Sequence, residues 1–412
     1  MSMTLNLNSI SPAIFEVRAN DGSTKQDRAD IVGAGRLLWF NHASRGRDAM
    51  HGGVKLLNAN DPTYLSDMEY KNLNKKFQND LLLYCAKKAC EHDDTTAPES
   101  FDSFKRRATD FYANDTFLKV LQGIFQEIIR PVLPSVYSEA VSRFADVEQV
   151  GFGETYSVSV ESNFIPYFQD SAWGASRSVP GERLYAKDIA VNPTPRTAQI
   201  VMKWTQIVGN GADFGQFFAN IVAGMYAKTM GLWHSMMTAA ASNTALIPTG
   251  LKATFTSVNW NRLSNKLMAV NDCGLDNLIA YGNIVALSKV LPTQATGSAN
   301  VNMDAALAML LGREYVRDAI LGVYNGVRLM PLRDAVIPGT QNTGVITMLD
   351  ETKVWMLSSN RRKPLVMVYN AETPITIEFD PLNNPAFEYS VNLTISLAGA
   401  SIFSSKVGLV TV

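Results

Sequence analysis

The stretch GFGETYSVSV (151–160), its return ERLYAKDIAV (182–191) and the run DFGQFFANIVAGMYAKTMGLWHSMMTAAA (213–241) decide the fold. From Glu154 to Val160 polar and apolar residues alternate with a period of two, the mark of a half-buried strand. Phe164 to Phe168 prolongs that strand, and Glu182 to Val191 runs back. The tip passes through Gly174 to Gly181 and carries Trp173. A lone two-stranded arm is marginal in water. The sequence therefore predicts an arm that cannot bury itself on its own subunit and is covered by another copy, which points to assembly.

Outward from the hairpin, Asn192-Pro-Thr-Pro195 leads into a further strand, Ala198 to Trp204. Asn210-Gly211 signals a turn, and Asp213 with Gln216 resembles a capping box. Phe214, Phe218, Ile221, Met225 and Leu232 form one helical stripe. Val222, Tyr226, Met230, Trp233 and Met237 form the adjacent one. Between Ala212 and Ala241 only Asp213 and Lys228 carry a formal charge. An apolar face this wide predicts a helical strut about 45 Å long, covered on most sides.

Upstream, residues 1 to about 64 show little periodicity, and Gly33, Gly35, Gly46 and Pro62 break them up. They read as an extended arm with short helical or strand pieces. Helices dominate from Ser66 to Phe144, beginning with a Ser66–Glu69 capping box. Asp115 is placed to cap the next helix, where Phe117, Leu121, Ile124, Phe125 and Ile128 recur at helical spacing until Pro131 and Pro134. Downstream the pattern is mixed: a helix from Trp260 to Val270, a buried strand Leu278 to Tyr281, a loop Thr293 to Asn302 and a helix Met303 to Leu311. Strands follow at Val327 to Met330, Val354 to Leu357, Thr373 to Phe379 and Phe387 to Leu397, with a β-rich tail Ser401 to Val412.

The chain of 412 residues has room for about two to three domains. Charged residues make up 18%, below the usual share of about 25%. A formal net charge of −1 argues against a protein whose main affinity is for phosphate backbones. Three cysteines, Cys85, Cys90 and Cys273, make no disulfide framework. No secretory signal pattern opens the sequence, and no apolar run is long enough for a membrane span.

Motifs for chemistry fail on inspection. Gly33-Ala-Gly35 lacks the third glycine and preceding strand of a dinucleotide fingerprint, and Gly151-Phe-Gly153 opens a strand, not a helix. A Walker-type loop and a Gly-x-Ser-x-Gly elbow are both missing. None of His42, His51, His92 and His234 has a partner at metal-ligand spacing. His42, His51 and Asp48 share the N-terminal arm, where polar residues of an arm explain them better than a site does. Basic runs Lys105–Arg107 and Arg361–Lys363 read as solvated faces. No residue is nominated as catalytic, and no metal or cofactor is expected.

The order of elements resembles the major capsid protein of tailed bacteriophages, the Hong Kong 97-like fold. Residues 146–160 look like the start of that family's extended loop, Glu182 to Pro193 like its end, and Asp213 to Ala241 like its spine helix. Asn277 to Asn283 resembles a strand-and-turn of the axial domain. The likeness covers Asp146 to the C-terminus and implies an α+β shell subunit. Its parts would be an N-terminal arm and helical region (1–145), an extended β-hairpin loop (146–205), a peripheral domain (206–255), an axial domain (256–372) and a returning β segment (373–412).

On that resemblance the chain builds pentamers and hexamers of an icosahedral virion shell, assembled in the host cytoplasm. Its implied partners are other copies of itself, scaffolding and portal proteins, and packaged double-stranded DNA held by weak contacts. Phe168, Trp173, Arg177, Arg183, Tyr185 and Lys187 are the candidate intersubunit contacts. Shape control is expected from a separate scaffold or from residues 1–145. Three rivals remain: a nanocompartment shell of the same fold with protein cargo, a tail or baseplate protein, and a cytosolic α/β enzyme.

Overall fold

The computed structural model describes residues 23–45, 65–132, 141–151, 153–161, 185–290, 322–340, 342–359, 362–370, 375–378, 388–403 and 405–412. Among the described residues the chain begins with helices α1 (Ser23–Arg45), α2 (Asp67–His92), α3 (Phe101–Arg106), α4 (Ala108–Tyr112) and α5 (Asp115–Ile129). Strands β1 (Ala145–Val150), β2 (Tyr156–Glu161), β3 (Tyr185–Val191) and β4 (Thr194–Lys203) follow, then α6 (Trp204–Val208) and the long α7 (Phe214–Ser242). The remainder mixes β5 (Lys252–Thr254), α8 (Ser257–Asn271), β6 (Leu278–Gly282), α9 (Ile284–Ser288), β7 (Val323–Tyr324) and β8 (Val327–Pro331). It ends with β9 (Lys353–Ser358), β10 (Leu365–Asn370), β11 (Ile375–Glu378), β12 (Glu388–Ser401) and β13 (Gly408–Thr411). The class is α+β. Two compact units divide the chain.

The first unit comprises Met1–Ala140, Thr194–Tyr226 and Tyr369–Leu397. Here α1 corrects the reading of residues 1–64 as an extended arm, because Ser23–Arg45 is one helix packed on α2 and α5. Gly35, read as a breaker, lies where a Cβ would come within 2.5 Å of Ile128 and 3.0 Å of Phe77. Close helix packing requires glycine there, and that gain overrides its poor helix propensity. The Ser66–Glu69 capping box forms as expected. At α5 the cap is Asn114, whose side-chain oxygen accepts from Phe117 N at 2.9 Å. Asp115, expected to cap, is the first helical residue and pairs with Lys119.

Strand β12 lies between β4 and β11, antiparallel to both. Its residues alternate, with Tyr389, Val391, Leu393, Ile395 and Leu397 buried. Trp204, expected to end a strand, begins α6 instead. Its indole is buried among Phe104, Tyr112, Phe117 and Tyr389 at centroid distances of 5.3 to 6.2 Å. A second aromatic group joins Phe77 and Phe125 to Phe214, and Phe125 to Phe217 and Phe218 on the first turns of α7.

The second unit comprises Val141–Pro193, Ala227–Val368 and Ala398–Val412. Its six-stranded sheet has the order β5-β13-β9-β6-β8-β7. The pairs β13–β5 and β6–β8 are parallel; the others are antiparallel. Strands β9 and β6 are almost wholly buried, which explains their unbroken apolar runs. Helix α8 is capped by Thr256 and sets Trp260, Leu263 and Leu267 into the core. The second part of α7 buries Met230, Trp233 and Met237, and Trp233 stacks on Phe144 at 4.4 Å.

In the same unit Asp350 accepts from Thr352 N at 2.9 Å and Thr352 Oγ1 at 2.6 Å, and pairs with Lys353 at 2.8 Å. Partial burial raises its pKa, but the bonds from Lys353 and Thr352 outweigh that and bring it down to about 2, from an ordinary 3.8. The unfolded chain takes up this proton first as pH falls. The contribution of Asp350 is therefore complete above about pH 4 and disappears as pH drops towards 2. Asp350→Asn is expected to destabilise the protein at pH 7 and to match the wild type progressively between pH 4 and 2. Urea midpoints measured across that range check it, and a gap independent of pH would contradict it.

Candidate interaction hairpin

Strands β2 and β3 pair antiparallel with each other and, among the described residues, with no other strand. The turn before them is closed by Glu154, whose backbone N–H donates to Gly151 O at 3.2 Å and whose carboxylate accepts from Gly151 N at 2.8 Å. Gly153 holds φ +78°, so the glycines that failed as a phosphate loop serve this turn. The register sets Tyr156 opposite Val191, Val158 opposite Ile189 and Val160 opposite Lys187. It shifts between Val160 and Glu161, an irregularity of the β-bulge kind.

Alternation sorts the two faces. Ser157, Ser159, Asp188 and Ala190 are exposed. Tyr156, Val158, Val160, Ile189 and Val191 pack on Val150 of β1, Val366 and Val368 of β10, and Ala398, Ala400 and Ile402. This corrects the expectation that the arm buries nothing on its own subunit: its foot is anchored by apolar contacts within the second unit. The reason is β10, an apolar run with no helical or alternating signature, which pairs with β1 and supplies the anchor. Arg362 donates to Ser159 O at 3.5 Å, and Lys363 pairs with Asp146 at 3.3 Å, so these cations tie the foot of the hairpin.

Of the candidate contact residues, Phe168, Trp173, Arg177 and Arg183 lie outside the described residues. Tyr185 and Lys187 lie on β3, opposite Glu161 and Val160. The strand continuation Phe164–Phe168, the tip, Arg361, the loop Thr293–Asn302 and the helix Met303–Leu311 also lie outside them.

The residues weighed for chemistry have structural employment. His42 stands 3.7 Å from Asp213, which accepts from Tyr70 Oη at 2.6 Å and from Gln216 N at 3.1 Å at the start of α7. His51 and Asp48 lie outside the described residues. Burial, with Lys353 adding to it, holds the His234 imidazole below its usual range against the pull of Asp350 and Asp334. Cys85 is buried in α2, and burial pushes its thiol far above the usual range. Lys105 lies over Phe101, and Arg107 bonds Thr96 O and Asp110. Among the described residues no group of three or more His, Cys, Asp or Glu is placed to hold a metal, and no helix is long and apolar enough to cross a membrane.

No family model matches this chain. No curated protein matches it either. Solved structures that it resembles include the asymmetric unit of the bacteriophage PhiM1 mature capsid, at 13% identity and a TM-score of 0.41, over 65% of this chain and 85% of that one. The satellite phage P4 procapsid including the size determination (Sid) protein is similar at 8% identity and a TM-score of 0.40, over 68% and 89%. A virus-like particle from Pyrococcus furiosus is similar at 12% identity and a TM-score of 0.36, over 69% and 98%. At TM-scores below 0.5 the functional reading rests on the chain's own features.

Proposed function

We propose that this chain is a structural subunit of the Hong Kong 97-like kind, which assembles with copies of itself into a closed icosahedral shell around double-stranded DNA. The observation that carries the reading is the β2–β3 hairpin. Its foot is fixed by apolar contacts, its outward face is polar, and its two outer edges are unpaired by any other described strand. Residues 162–184 join the ends of this hairpin in sequence, and its open strand edges invite a second chain. On this reading residues 146–205 are the loop that lies on a neighbour, with Phe168, Trp173, Arg177, Arg183, Tyr185 and Lys187 as its contacts. Residues 206–255 belong to a peripheral domain and 256–372 to an axial one. The low charge content supports extensive burial between subunits.

Negative-stain microscopy of the purified full chain, with assay of its contents, tests the proposal. The expected result is closed isometric particles holding nuclease-protected double-stranded DNA in the native host. Particles with protein cargo and no nucleic acid would move the reading to a nanocompartment. Tubes or rings would move it to a tail component. A species that stays monomeric or dimeric at every concentration would end the shell reading.

A further inference from the structure

Within the second unit, α7 meets the loop 335–349 that follows β8. The approach is close, since a Cβ on Gly231 would lie 3.1 Å from Met348 Sδ. His234 and Thr238 follow Gly231 at helical spacing and share its face of α7. His234 Nδ1 is buried and has no hydrogen-bond partner among the described residues, and the same holds for Thr238 Oγ1. The helix therefore brings to this joint two polar atoms that the joint does not engage.

Two carboxylates act on the imidazole, yet both are engaged elsewhere. Asp334 Oδ1 accepts the backbone N–H groups of Ala335 at 2.8 Å and of Met348 and Leu349 at 3.0 Å, and its Oδ2 accepts from Asn283 Nδ2 at 2.8 Å. Four donors fill a carboxylate. Asp350 is committed to Thr352 and Lys353. Among the described residues the charges acting on His234 are Lys353, Asp350 and Asp334. On α7 itself Lys228 is the only formal charge, and six residues of helix turn it to another face. Burial, with Lys353 adding to it, outweighs the two acids and keeps the ring neutral at pH 7.

A proton changes this balance. Both ring nitrogens of an imidazolium are donors. Nδ1–H would then be buried without an acceptor, and the new charge would feel the Lys353 ammonium. An uncompensated buried charge is costly, and water relieves the cost once the loop lifts from the helix. We propose that His234 is an acid-sensitive latch: the neutral ring lets the loop 335–349 close on α7, and the imidazolium releases it while the central sheet stays folded. In the released form the ring has its ordinary pKa of 6.5, and in the closed form a lower one. The loop is therefore closed above pH 6.5 and opens as pH falls below it, until the closed form takes the proton as well. That window lies above the one in which Asp350 is lost. The latch works within one subunit and does not rest on the shell reading.

Hydrogen exchange of the full chain, read by mass spectrometry across mildly acidic pH, tests this. After correction for intrinsic exchange, protection of the Met348 and Leu349 amides, which donate to Asp334, is expected to fall about tenfold for each pH unit below 6.5. The amides of β6 and β9 are expected to stay protected. His234→Gln cannot take the proton and is expected to keep the loop protected throughout. His234→Leu gives the same reading if the glutamine variant does not fold. His92→Gln, at a 71% exposed histidine of the first unit, is expected to respond like the wild type. Protection of the loop that does not change with pH in the wild type overturns the latch, as does a loss that persists in His234→Gln. Loss in β6 and β9 at the same pH as in the loop also overturns it, because the unit would then be opening as a whole.

Discussion

Deleting Phe168–Glu182 is expected to leave a subunit that folds and melts close to the intact chain, yet yields no closed particles. The hairpin's foot lies outside the deletion. Strands β2 and β3 keep their register, and Val158, Val160, Ile189 and Val191 keep their contacts with Val366, Val368 and Ile402. Residues 162–167 with 183–184 still connect the strands, and closing a shorter loop costs slightly less entropy, about 0.6 kcal/mol per halving of length. On the shell reading, what the deletion removes is the proposed contact with a neighbouring copy, including Trp173 and Arg177. Melting measured by circular dichroism and particle yield measured by microscopy separate the two effects. Normal particles from the shortened chain would count against the hairpin's role, and an unfolded subunit would show that the tip stabilises its own chain.

The second large effect is on stability. Trp233→Ala is expected to cost about 3–5 kcal/mol in the first unfolding transition of the second unit. Trp233 is 1% exposed and lies nearly parallel to Phe144, with 10° between the rings. Phe144 in turn contacts Tyr281 of β6 at 5.3 Å. Truncation therefore opens a cavity between α7, the turn before β1 and the central sheet. Trp233→Phe keeps most of the volume and the ring contact. Its indole N–H is buried without a hydrogen-bond partner among the described residues, so that variant should lose less than about 2 kcal/mol. Denaturant titration of both variants checks the ranking, and equal losses would show that the stack with Phe144 matters little.

Much of this was legible where the signals are local. The Ser66–Glu69 box, the start of α7 at Asp213, the β2 alternation and the buried strand at Leu278 each lie within a few residues of the features that announce them. Elements decided by distant contacts were not legible. Gly35 reads as a breaker until Ile128 and Phe77 are seen against it. Leu365 to Tyr369 is an apolar run of five, which periodicity cannot assign to strand or helix. Trp204 closes a strand-like run in sequence, but its indole belongs to a cluster with Phe104 and Tyr389. The hairpin's pairing was readable from its alternation. Its anchor was not, because Val366, Val368 and Ile402 join it from the far end of the chain. The joint at His234 was also missed, because Asp334, Asp350 and Lys353 act on it from far along the chain.

The placement of β13 bears on how the polypeptide is made. Gly408–Thr411 fills the slot between β5 and β9, parallel to one and antiparallel to the other, and Val412 N donates to Thr352 O. A nascent polypeptide that has not reached residue 408 holds two raw strand edges apart, the kind of surface on which chains stick to one another. The sheet closes only once those residues leave the ribosome, so the second unit completes its central sheet only after synthesis has passed that point. Translation itself then sets the earliest moment at which this unit is whole.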